Sequence, residues 1–99
     1  MTDDQSLPRY HLRLFVTGAT TRSQIAILNL KRICDERLRG RYELEVIDVY
    51  ENPEATRDLQ IVATPTLVKM LPEPLRRIIG DLSNTERVLA GLSLDPIGQ

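Results

Sequence analysis

The chain is expected to fold as a three-layer α/β domain around one mixed sheet, and three observations lead there. Residues 10–49 read as strand, amphipathic helix and strand, a unit in which the two strands lie parallel. Residues 61–69 run Ile-Val-Ala-Thr-Pro-Thr-Leu-Val-Lys, an apolar approach, a Thr-Pro step and a short strand. Leu75 to Ile79 is a further apolar run, close enough after a proline-rich connection to pair with its predecessor as a hairpin.

The elements follow in order. Residues 1–9 are polar and read as a loose leader, residues 10–94 as the domain, and 95–99 as a flexible tail. Tyr10 to Val16 supplies the first strand, with Leu12, Leu14 and Val16 on one face and Phe15 on the other. Apolar residues on both faces predict a central strand covered from both sides. Gly18 to Thr21 turns the chain, and Thr21 or Ser23 can cap a helix running from Ser23 to Leu38. Its buried stripe is Ala26, Ile27, Leu30, Ile33, Cys34 and Leu38, at three- and four-residue spacing, and Gly40 supplies the stop. Tyr42 to Val49 alternates as a strand with Tyr42, Leu44 and Val46 inward and Glu43 and Glu45 outward. Together these form a right-handed βαβ unit.

Asn52-Pro53 opens a short helical turn over Glu54 to Gln60, with early acidic residues that suit a helix N-terminus. Thr66 to Met70 is the next strand. Leu71-Pro-Glu-Pro74 connects it to the strand Leu75 to Ile79, and Gly80 to Leu82 turns again. Ser83 and Glu86 have capping-box spacing ahead of Val88, Leu89 and Leu92, with Gly91 as the residue closing the last helix.

Composition narrows the function. With 99 residues, 41% apolar and 27% charged, the chain suits one compact domain. A net charge of −1 gives no electrostatic footprint for nucleic acid or an anionic membrane. The one cysteine, Cys34, falls on the apolar helix stripe and reads as an inert buried thiol. The one histidine, His11, begins a strand, and no group of residues has metal-ligand spacing, so neither a metal nor a cofactor is expected. No apolar run approaches the roughly 20 residues that span a bilayer, and a cytoplasmic location is expected.

The order β-α-β-α-β-β-α is the thioredoxin-like arrangement. In redox members of that fold, the proline before the third strand is often cis and faces a Cys-x-x-Cys pair at the first strand-to-helix turn. Here that turn reads Gly18-Ala-Thr-Thr-Arg-Ser23 and holds no cysteine. A thioredoxin or glutathione-type redox domain is therefore disfavoured, and the search moves from catalysis to binding.

Several segments carry a closer likeness: Leu14-Phe-Val-Thr-Gly18, Tyr42-Glu-Leu-Glu-Val-Ile-Asp-Val49, Asn52-Pro53, Ile61-Val-Ala-Thr-Pro-Thr-Leu67 and Leu75-Arg-Arg-Ile-Ile-Gly-Asp-Leu-Ser-Asn84. From about Tyr10 to Leu94 the chain resembles the KaiB family of bacterial clock proteins. The resemblance implies a protein without enzymatic activity that docks on the N-terminal ATPase ring of KaiC and, in cyanobacteria, sequesters KaiA. It also implies two folds for the half after about Tyr50. One is thioredoxin-like, monomeric and competent to bind KaiC; the other is a tetramer with the order β-α-β-β-α-α-β. The sensory domain of the histidine kinase SasA is related, so an interaction module for another regulator or sensor kinase is the alternative reading.

The resemblance assigns KaiC-type contacts to Asn52, Pro53, Glu54, Arg57 and Gln60, although the family commonly carries lysine in place of Gln60. It assigns a KaiA-type edge to the second strand, where the outward carboxylates Glu43 and Glu45 discourage strand addition. Pro65, Pro72, Pro74, Gly91 and Ser93 are the expected switch positions, since an X-Pro amide prefers trans by only about 0.5–1 kcal/mol. The Ser83 and Glu86 cap, Glu73 within the proline run and the neutral Ser93 favour the thioredoxin-like form. Tyr10 maps to a tyrosine associated with the tetramer. Ile25 and Leu28, opposite the core stripe of the first helix, form an expected partner patch.

Overall fold

Seven elements appear in the computed structural model, which describes residues 8–94: β1 (Tyr10–Val16), α1 (Thr21–Arg37), β2 (Tyr42–Asp48), α2 (Pro53–Asp58), β3 (Thr66–Leu71), β4 (Arg76–Ile79) and α3 (Thr85–Gly91). The expected leader (1–9) and tail (95–99) fall outside the described residues, apart from Pro8 and Arg9. Arg9 Nη1 donates to the Gly40 carbonyl at 3.1 Å, and the Pro8 carbonyl accepts from Arg41 at 3.0 Å, which ties this end to the α1–β2 turn.

The sheet runs β2-β1-β3-β4, with β1 parallel to β2 and antiparallel to β3, and β3 antiparallel to β4. β1 is central, as its two apolar faces require. Leu12, Leu14 and Phe15 are all fully buried. The main core lies on the helical face, where Leu12, Leu14, Leu67 and Ile78 meet Ala26, Leu30, Ile33 and Cys34 from α1 and Val88, Leu89 and Leu92 from α3. Phe15, Thr66 and Ile79 lie side by side on the opposite face, as do Arg13, Val68 and Arg77. The end of α2 reaches that face, because Arg77 Nε donates to the Leu59 carbonyl at 3.0 Å.

Three local expectations are corrected. The cap of α1 is Thr20, not Thr21 or Ser23; its hydroxyl accepts from the Ser23 backbone N–H, and Ser23 is buried in the first turn. Val46, expected inward, is 45% exposed, since β2 is an edge strand with a neighbour on one side only. The cap of α3 is Asn84, whose side chain accepts from the Arg87 N–H at 3.1 Å. Ser83 turns to Asp81 instead, donating its backbone N–H to Asp81 Oδ1 at 3.1 Å. The Ser83 hydroxyl, together with that N–H, holds the Asp81 carboxyl below its usual range.

The far end of α3 also differs from expectation. Gly91 is the last helical residue, packed so closely on β4 that a methyl group there would lie 2.3 Å from Ile78 Cδ1. The residue that closes the helix is Ser93, at φ 62°. Ser93 N–H donates to the Ala90 carbonyl and Leu94 N–H to the Leu89 carbonyl, the paired bonds of a Schellman motif. Leu94 then packs against the core. Tyr10 completes the closure: its buried hydroxyl donates to the Leu92 carbonyl at 2.8 Å, joining the start of β1 to the end of α3.

An L-residue in the left-handed region costs about 1 kcal/mol that glycine does not incur. Ser93→Gly should therefore raise stability by about 1 kcal/mol in urea unfolding. Asn84→Ala should lower it by about 1 kcal/mol, whereas Ser83→Ala should change it by less than about 0.5 kcal/mol. Equal losses at Ser83 and Asn84 would refute the cap assignment.

Candidate functional site

The turn between β1 and α1 is held by hydroxyl groups. Thr17 N–H donates to Ser23 Oγ at 3.3 Å, the Thr20 hydroxyl donates to the same oxygen at 2.9 Å, and Thr17 and Thr64 share a hydroxyl hydrogen bond. Gly18 N–H donates to Asp48 Oδ2 at 3.1 Å, fixing the turn to the end of β2. Thr64 precedes Pro65, and that peptide bond is cis, as are those before Pro72 and Pro74. No thiol stands at this turn. Cys34 lies in the last turn of α1 with no exposed surface, and burial, with Asp35 adding to it, pushes its pKa up to about 12. A thiolate nucleophile needs the opposite environment.

An open apolar surface lies beside this turn, around α2. Asn52 starts the helix without a side-chain capping bond and instead donates from Nδ2 to the Asp48 carbonyl at 3.1 Å. Pro53 occupies the first turn, where its missing N–H has no consequence. Gln60, at φ 56°, ends the segment and donates its N–H to the Arg57 carbonyl. This reversal turns Ile61 and Val62 back alongside the helix. The result is an open groove of about 740 Å³ bordered by Val49, Tyr50, Pro53, Arg57, Gln60 and Val62. Tyr50 is 78% and Val62 87% exposed.

The residues singled out from the sequence divide between surfaces. Pro53, Arg57 and Gln60 border the groove, while Asn52 and Glu54 line a separate hollow at the start of α2 that Pro53 also adjoins. Val49, Tyr50, Thr56, Ile61 and Val62 also line the groove and were not singled out from the sequence. Among them Tyr50 and Val62 are the most exposed, and the apolar runs in which they sit carry no signal for where cover ends.

Glu43 and Glu45 are exposed on β2, but they are not equivalent. Glu45 Oε1 accepts from Arg13 Nε at 2.9 Å and lies 3.3 Å from His11 Nε2, on the neighbouring strand. The hydrogen bond from Arg13, with a second from His11, lowers its pKa. Its charge is therefore turned onto the sheet face and partly neutralised. Ile25 and Leu28 are 39% and 69% exposed on α1. Tyr10, by contrast, is 4% exposed, and burial raises its phenol pKa against the opposing effect of Arg41. No group of His, Cys, Asp and Glu among the described residues could hold a metal, and no described helix is long and apolar enough to cross a membrane.

Comparison with known proteins places these features in context. The KaiB domain family model matches residues 13–94. The circadian clock protein KaiB3 of Synechocystis sp. is 54% identical over 90 residues, covering 91% of this chain and 88% of its own. The circadian clock oscillator protein KaiB of Thermosynechococcus vestitus is 52% identical over 85 residues, covering 86% and 79%. Among solved structures, the N-terminal domain of Synechococcus elongatus SasA matches with a TM-score of 0.73 at 24% identity, over 98% of this chain and 95% of that one. Mitochondrial thioredoxin 3 of Saccharomyces cerevisiae matches with a TM-score of 0.70 at 18% identity, over 88% and 80%. At such identities these two show the fold alone, and the fold is thioredoxin-like.

The Glu45 cluster gives a pH expectation. A carboxyl whose folded pKa lies below its ordinary value of 4.5 stabilises the fold above that value, and the contribution disappears as pH falls through the folded pKa. In a carboxyl NMR titration, Arg13→Gln should move the Glu45 midpoint up towards the ordinary value. An unchanged midpoint would mean that the Arg13 contact is absent in solution.

Proposed function

The chain belongs to the KaiB family, and from that premise we propose that it is a non-catalytic clock-type regulator that docks on the N-terminal ATPase ring of a KaiC-type protein. The observation that carries this reading is the apolar groove beside α2. Tyr50 and Val62 expose large side chains at its rim, and such paired apolar anchors ringed by polar residues favour protein docking. Pro53, Arg57 and Gln60 add the polar rim, and Asn52 and Glu54 extend the contact along the start of α2. The absence of a thiol at the β1–α1 turn, together with the buried Cys34, argues against a redox role.

In this reading the protein acts in the cytoplasm and switches between two arrangements. The thioredoxin-like form is the docking form, and the second form rebuilds the chain after about Tyr50. Pro65, Pro72, Pro74, Gly91 and Ser93 are the switch positions, and the left-handed backbone at Ser93 supports this by making the end of α3 costly to hold. Tyr10 couples to the switch. Its hydroxyl is held by the Leu92 carbonyl at the end of α3, so loss of that helix end frees it for an oligomer contact. Two such packings need differ by only a few kcal/mol for both to be populated.

The open edge of β2 is the surface for a KaiA-type or SasA-like partner. Glu43, exposed there, selects a partner more basic than a neutral strand would require. Ile25 and Leu28 provide a smaller apolar contact on α1.

Size-exclusion chromatography with a KaiC-type ring, in ATP and in ADP, tests the main reading. A stable complex is expected, and Tyr50→Ala combined with Val62→Ser should weaken it by roughly 30-fold or more, the loss of a hot spot worth about 2 kcal/mol. Both side chains are exposed, so the thermal midpoint should hardly change. A complex that forms with undiminished affinity would displace the contact from the α2 groove.

A further inference from the structure

We propose that the open edge of β4 is a docking edge for an acidic extended segment of a partner protein, which adds to the sheet as a fifth strand and sets a carboxylate beside Arg76. β4 pairs with β3 alone, so the backbone groups on its other side have no strand partner among the described residues. Ile78, 6% exposed, anchors the strand in the core, while Leu75 and Ile79 expose 38% and 46% of their surface along it. The edge is therefore rigidly based and apolar at both ends, the form that accepts an added strand.

Charge selects the occupant. Arg76 and Arg77 are consecutive and exposed, and they point to opposite faces of the sheet. Arg77 Nε is engaged by the Leu59 carbonyl, whereas Arg76 has no ion-pair or hydrogen-bond partner among the described residues. Directly opposite Arg76 on β3 stands Lys69, which is 1% exposed and likewise lacks an acidic partner among those residues. Burial, with Arg76 adding to it, pushes the Lys69 pKa down. Two cations stand opposite each other across the β3–β4 pair, and a carboxylate at this edge would relieve their mutual repulsion. A glutamate or aspartate on an added strand supplies that charge and completes the backbone ladder in one step.

The opposite edge of the sheet would not serve. β2 presents Glu43, whose exposed carboxylate repels an acidic segment, so the two edges select partners of opposite charge. This inference is independent of the α2 groove and of any KaiC-type ring.

The test is a backbone-amide NMR titration of the full chain with a capped heptapeptide alternating valine and glutamate, beside the same peptide carrying lysine in place of glutamate. The acidic peptide should shift the amides of Leu75 to Ile79 and leave those of Tyr42 to Asp48 in place. The lysine peptide should bind β4 at least about tenfold more weakly, and Arg76→Gln with Arg77→Gln should reduce acidic-peptide affinity by about tenfold. Equal binding of both peptides, or shifts confined to β2, would overturn the proposal. So would β4 shifts that grow with protein concentration without peptide, which would make a second copy the occupant. If the double variant fails to fold, the peptide comparison on the unaltered chain still decides.

Discussion

The structure depends on β1 being a strand with cover on both faces. Leu12 and Leu14 enter the helical core while Phe15 enters the opposite side, and all are fully buried. Burying a side chain of this size contributes about 1.5–3 kcal/mol. Such a strand has to sit inside the sheet, and every other strand is placed by that requirement. β2 joins one side through a helical crossover, and β3 joins the other side antiparallel. Residues 66–94 then depend on the β1–β3 ladder, the packing of α3, and the Tyr10 hydrogen bond to Leu92.

That dependence is asymmetric. The βαβ half is local, continuous and closed by α1, with five of its residues contributing to the core from the helix stripe alone. The rear half is assembled from shorter pieces: a strand of 6 residues, one of 4 and a helix of 7. Its last helix ends on a serine in the left-handed region and carries a glycine pressed against Ile78. The left-handed serine costs the helix end about 1 kcal/mol, while the glycine lets α3 pack closely on β4. Both lie at the end of the molecule that Tyr10 fastens, where its hydrogen bond to Leu92 adds to the β1–β3 ladder and the shared core.

The thioredoxin-like scaffold carries no cysteine at the β1–α1 turn, and its one thiol, Cys34, is buried in α1. Hydroxyls occupy the β1–α1 turn where a redox pair would stand, and they satisfy one another and the backbone instead of activating a nucleophile. The neighbouring α2 surface is apolar and open, because the left-handed Gln60 returns the chain beside the helix without burying Val62. The two sheet edges differ in sign, acidic at β2 and basic at β4. Among the described residues the domain thus presents three chemically distinct open surfaces.

Much of this was legible in the amino-acid order. Alternation over 10–16 and 42–48, the three- and four-residue spacing over 26–38, and the proline before residue 66 specify the elements because those patterns reflect which side chains leave water together. Local pattern could not choose between Ser83 and Asn84 as the cap of α3, since Ser-Asn-Thr-Glu-Arg carries the three-residue spacing twice. The turn before the helix decided it: Ser83 bonds back to Asp81 and Asn84 is left to cap. The exposure of Val46, Tyr50 and Val62 was likewise decided in three dimensions. Whether an apolar residue is covered depends on where the sheet ends and how far a neighbouring helix reaches, and neither is written in the residues beside it.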